Sequence, residues 1–135
     1  MWASVEVLDG SSLVAVPGGG GGLESTYSKS YPSGTSNRGI LASSLSAADQ
    51  EKVRAVIRAY VNTAASENAT ELLAAYLADA AMAQTYVAYS GSGGVNTNGN
   101  YFRIDGPRVW IEYSVQRGVL ISSDIHPHTI WRDKT

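Results

Sequence analysis

From Arg108 to Val115 the chain alternates strictly: Val109, Ile111, Tyr113 and Val115 are interleaved with Arg108, Trp110, Glu112 and Ser114. That is the pattern of a half-buried strand, because successive side chains leave opposite faces. The turn Asp105-Gly106-Pro107 opens this strand, Arg117-Gly118 closes it, and Val119, Leu120 and Ile121 begin another. Upstream, Gln84 to Ser90 reads as a strand, with Tyr86, Ala88 and Ser90 on one face and Thr85, Val87 and Tyr89 on the other. Gly91 to Asn100 is then a long, turn-rich connection. The last run, His126-Pro127-His128-Thr129-Ile130-Trp131-Arg132-Asp133, places His126, His128, Ile130 and Arg132 on one face if it is extended. Pro127 has no amide hydrogen for a ladder, which argues for an edge strand or a bulge.

Two stretches change to helical spacing. Ser46 with Asp49 resembles a capping box, and Val53, Val56, Ile57, Tyr60 and Val61 make one apolar stripe. Glu51 and Arg54 stand close enough along that helix to pair. A second helix is predicted from Asn68 or Thr70 to about Ala83, burying Leu72, Leu73, Tyr76, Leu77 and Ala80. Asn68-Ala69-Thr70 also fits a glycosylation acceptor, but Asn and Thr at a helix start explain it as caps. The short connection between the helices implies antiparallel neighbours.

Before the helices, residues 4–8 and 13–16 flank Asp9-Gly10, a hairpin signal expected to join the same sheet. Residues 17–24 read as a flexible Gly-rich loop; the tract lacks the Gly-Lys-Ser/Thr ending of a phosphate loop. Ser25 to Arg38 is polar and turn-rich, with Tyr27 and Tyr31 as anchors, and Asn37-Arg38-Gly39 leads into Ile40-Leu41. The sum is an α+β domain: an antiparallel β-sheet with a pair of helices packed on one face.

A length of 135 residues fits this single domain, 1–135, with room for a core. The formal net charge of −2 gives no global electrostatic reason to expect nucleic acid or an anionic membrane as partner. No apolar run is long enough to span a bilayer. The absence of cysteine excludes disulfides and thiolate metal ligands without fixing a compartment.

Candidate chemistry concentrates in the last third. His126 and His128, on one face of a strand, could both turn a nitrogen to a transition metal such as zinc, with Glu112, Asp124 or Asp105 as a third ligand. The alternative is that both are hydrogen-bonded structural or rim residues, since His-x-His alone supplies only part of a coordination set. Asp105 and Glu112 could work as an acid–base pair if they flank a pocket; otherwise they would bridge to arginines, with Arg103 and Arg132 the leading partners. Asp133 reads as a further arginine partner. Trp110, Trp131, Tyr113 and Tyr101 offer rings that could stack a sugar, with Arg103 and Arg132 available to an acidic ligand. Trp110 shares strand parity with Glu112, so either that face is solvent-lined or the glutamate is buried beside a partner. No serine sits in a Gly-x-Ser-x-Gly nucleophile elbow.

The runs Tyr101-Phe102-Arg103-Ile104-Asp105-Gly106-Pro107, Val109-Trp110-Ile111-Glu112 and His126-x-His128-Thr129-Ile130-Trp131-Arg132-Asp133 resemble the family catalogued as domain of unknown function (DUF) 3500. That family carries similar Arg-Ile-Asp-Gly-Pro…Trp-Ile-Glu and His-aromatic-His…Arg-Asp runs; here Pro127 replaces the aromatic. The resemblance reaches back through Thr85 to Gly91 and Asn37-Arg38-Gly39, as far as about Tyr31. It implies a fold family without a chemistry. Its members are usually longer and often look exported, which implies either a C-terminal portion of such a protein or a truncated relative; Met1 to Glu6 lacks the basic-then-apolar build of a signal peptide. Three readings follow: a His-x-His metal protein with hydrolytic or redox activity, narrowly first; a carbohydrate- or small-ligand-binding module; and a structural or interaction domain without catalysis.

Overall fold

The computed structural model describes residues 31–32, 34–92, 95–118, 121 and 123–135. The predicted hairpin at 4–16, the Gly-rich loop at 17–24, and Val119 and Leu120 lie outside them. The described residues form an α+β fold. Strand β1 (Ile40–Leu41) and a 3-10 turn (Ala42–Ser44) lead into helices α1 (Ala47–Val61), α2 (Ser66–Tyr76) and the short α3 (Asp79–Met82). Strands β2 (Tyr86–Ser90), β3 (Tyr101–Asp105), β4 (Val109–Arg117) and β5 (Ile125–Asp133) follow. All pairings are antiparallel, and the strand order β1-β2-β3-β4-β5 repeats the chain order.

The register fixes what each face carries. Val87, Ile104, Ile111 and Trp131 line up across β2–β5, as do Tyr89, Phe102, Tyr113 and Thr129. This is the helix face: Val87, Phe102, Ile104, Val109 and Ile111 share one buried core with Val53, Ile57 and Val61 of α1 and Ala69 and Tyr76 of α2. Phe102 and Tyr113 stack at 5.3 Å between ring centroids. The opposite face carries Tyr86, Asp105, Trp110 and Arg132 in one row, and Ala88, Arg103, Glu112 and Ile130 in the next.

Helix α1 starts as its sequence predicts, with the Ser46 hydroxyl oxygen accepting from the Asp49 amide at 3.2 Å. The Glu51–Arg54 pair does not form: Arg58 takes Glu51 at 2.5 Å, and Arg54 reaches the Leu77 carbonyl at 3.0 Å. The second helix begins earlier than its cap residues suggest, at Ser66 with an uncapping Ala65, so Asn68 and Thr70 fall inside it. It also stops at Tyr76 and restarts as α3, which turns Ala80 out to solvent. Ile121 is an exposed bend and the last strand begins at Ile125. Pro127 sits opposite Val115 on β5, the edge strand among the described residues, as a residue without an amide hydrogen requires.

Gly39 fixes where the polar loop meets the sheet. Its φ of +93° favours glycine, and a Cβ there would collide with the Val87 carbonyl of β2. The preceding Asn37 and Arg38 are thereby delivered to the sheet face opposite the helices, where each contacts β3.

Candidate functional site

The β3–β4 hairpin builds the site. Asp105 ends β3, and Gly106 donates to the Val109 carbonyl at 2.9 Å to close the turn. The register then sets Arg103 opposite Glu112 and Asp105 opposite Trp110 on the face away from the helices. Arg103, Asp105, Trp110 and Glu112 are all buried there, which is costly for the charged groups unless each is paired.

Both carboxylates are paired. Asp105 is fully buried; Arg38 Nε donates to one oxygen at 2.7 Å and Lys134 Nζ to the other at 2.5 Å. Lys134 also donates to the Gly106 carbonyl at 2.7 Å, and the Arg38 guanidinium lies 4.2 Å above the Tyr86 ring. Burial pulls the Lys134 ammonium below its usual pKa, an effect opposed by Asp105. Glu112, also fully buried, accepts from the Tyr101 hydroxyl at 2.6 Å and from Trp110 Nε1 at 2.9 Å. Burial first, then Glu112, pushes the Tyr101 phenol well above its usual pKa, so it stays protonated and donates.

Around the Trp110 ring stand Arg103 at 5.2 Å, Lys134 at 5.3 Å and the Tyr31 ring at 5.1 Å. The first two are cation–π distances and the third is a tilted ring–ring contact. Arg103 is 9% exposed. Its NH2 donates to the Asn37 carbonyl at 2.7 Å, while its Nε is buried without a hydrogen-bond partner among the described residues.

At the other end of the same face, His126 and His128 stand opposite Gln116 and Ser114. Their ring centroids are 4.6 Å apart and the planes are tilted by 42°. Among the described residues no three histidine, aspartate or glutamate side chains group to hold a metal ion, so the donor set there stops at two imidazoles.

The family model for "Protein of unknown function (DUF3500)" matches residues 24–135. The chain belongs to the DUF3500 family. The match starts seven residues ahead of the resemblance read from Tyr31, and it takes in every residue of the site. A search of the curated proteins found no match, and a search of the solved structures found none.

Within this DUF3500 chain, the sheet collects Arg103, Asp105, Trp110, Glu112, Arg132, His126 and His128 on one face. Trp131 is not among them: it pairs in register with Ile111 and packs against the helix-side core, because its parity on β5 is opposite to that of Arg132. The ligand-stacking role drawn for Trp131 together with Trp110 therefore divides between two faces. Asp105 takes Arg38 and Lys134 where Arg103 or Arg132 was expected. Asp105 and Glu112 have both oxygens engaged, which suits positioning more than proton transfer. Asp133 does take an arginine, Arg108. Arg38 and Lys134 were missed. Lys134 had a signal, since it follows Arg132 at the two-residue spacing of that face; Arg38 had only its place in the Asn37-Arg38-Gly39 run of the resemblance, and no local spacing points to a partner 67 residues away.

Proposed function

We propose that this DUF3500 chain is a small-ligand-binding module whose site is the polar and aromatic sheet face opposite the helices. One observation carries the reading. Arg103 is buried against the Trp110 ring, yet its Nε has no hydrogen-bond partner among the described residues. Buried polar atoms in folded proteins are nearly always satisfied, so an unsatisfied one calls for a reason, and a ligand that completes it is the reason proposed here. An aromatic face with a few convergent polar groups is the chemistry of a carbohydrate or small acidic ligand site. The test is a melting-temperature panel of neutral sugars and small organic acids on wild type and Arg103→Gln. At least one compound should raise the wild-type midpoint, and the variant should lose that gain. A flat wild-type panel would end the reading.

A second reading, metal binding, is favoured by the adjacency of the His126 and His128 rings. Two neutral imidazoles would supply half of a tetrahedral zinc set, with an oxygen ligand still to be provided. Metal content after purification without a histidine tag should fall in His126→Ala and in His128→Ala. Equal, substoichiometric metal in wild type and both variants would remove this second reading.

A further inference from the structure

We infer that the ligand group taken by this site is a small oxyanion, a carboxylate or a phosphate, held on the Nε edge of Arg103; the inference rests on the binding-module reading and narrows its ligand. Charge is the first ground. On this face stand Arg38, Arg103, Arg132 and Lys134, against Asp105 and Glu112. Asp105 is consumed by Arg38 and Lys134 together, one cation on each oxygen. Glu112 receives a phenol and an indole hydrogen. Among the described residues of this face the cations outnumber the carboxylates, and Arg103 and Lys134 are largely withdrawn from water. A desolvated cation needs an anion, since the low dielectric that strengthens a pair also penalises a charge left alone.

Geometry is the second ground. Arg38 displays on this same face the bond that Arg103 lacks: its Nε donates to a carboxylate oxygen at 2.7 Å. Arg103 has the same planar fork, but among the described residues its hydrogen bond goes to the neutral Asn37 carbonyl, from NH2, and the Nε hydrogen is left over. The fork matches two oxygens of a carboxylate or phosphate better than it matches a sugar hydroxyl. Trp110 holds the guanidinium plane from one side at 5.2 Å, which fixes the direction in which Nε points before any ligand comes.

The experiment uses the full chain and four additives at matched ionic strength: sodium phosphate, sodium succinate, sodium chloride and glucose. Melting midpoint and calorimetric binding are measured for wild type, Arg103→Gln and Arg103→Lys. Phosphate or succinate should raise the wild-type midpoint more than chloride does; which of the two does so identifies the oxyanion. Its binding should weaken by at least about tenfold in Arg103→Gln. If Arg103→Gln does not fold, Arg103→Lys carries the same test, because it keeps the charge and loses the fork, and it should also bind more weakly. The inference is overturned if both oxyanions act as chloride does, or if the variants bind them as wild type does. Glucose binding that depends on Arg103, with no oxyanion binding, would overturn the oxyanion while leaving the binding module standing.

Discussion

Tyr76 on α2 is 1% exposed, and among the described residues its buried hydroxyl meets no hydrogen-bond partner, nor does the Trp131 indole nitrogen. Burial first, then the nearby Asp133 charge, pushes its phenol up to about 12. The ring contributes packing and the oxygen contributes a desolvation cost. Tyr76→Phe should therefore leave thermal stability unchanged or raise it by up to about 1 kcal/mol. A loss larger than that in denaturant melts would mean the hydroxyl has a partner. Nearby, burial works to raise the Asp133 carboxyl, but hydrogen bonds from Arg108 and Thr135 overcome it and hold the group below its usual range. A carboxyl depressed in this way stabilises the fold above its unfolded pKa of about 3.9, and the contribution is lost as pH falls through the lower folded value. Asp133→Asn should cost roughly 0.2–1 kcal/mol at neutral pH, since the pair is partly exposed, and the difference should vanish in strong acid. A constant difference across that range would separate the cost from the charge. Parity in the sequence already posed the question of Glu112, and the answer is a buried carboxylate beside Trp110 and Tyr101.

At the level of elements, periodicity located the helices and capping chemistry set only one boundary. Ser46 caps α1 because its oxygen reaches the Asp49 amide. No such cap marks α2, which starts at Ser66 and buries Ala69 and Tyr76. Its end has a tertiary cause as well: Arg54 of α1 donates to the Leu77 carbonyl, an acceptor that the ending helix leaves open. That contact spans 23 residues and leaves no trace in local spacing. The stripe is correspondingly uneven, with Ile57 fully buried and Leu73 only partly so. Ile57→Ala should cost about 2–5 kcal/mol, as a large-to-small change in a closed core. Leu73→Ala should cost nearer about 1 kcal/mol, in proportion to the smaller apolar area removed from water. Chemical denaturation of both variants checks this; equal losses would mean that α2 packs as tightly as α1.

For the whole molecule, alternation in β2, β3 and β4 made the sheet legible, and helical spacing made the covering layer legible. The two faces were harder. Strand pairing decides that Trp131 meets Ile111 and that Trp110 meets Arg132, and only the fold brings Arg38 to Asp105. Strand order identical to chain order has a kinetic consequence. β2, β3 and β4 each pair with the next strand along, so their loops close over short stretches of chain. β1 meets β2 only across the segment that holds all the described helices. Short loops close at lower entropic cost, and low contact order speeds folding. In pulse-labelled hydrogen exchange during refolding, amides of β3 and β4 should gain protection before those of Ile40 and Leu41; simultaneous protection would refute that order. The loop carrying Asn37 and Arg38 would then settle onto Arg103 and Asp105 last, so the polar face would acquire its working arrangement only in the final step of folding.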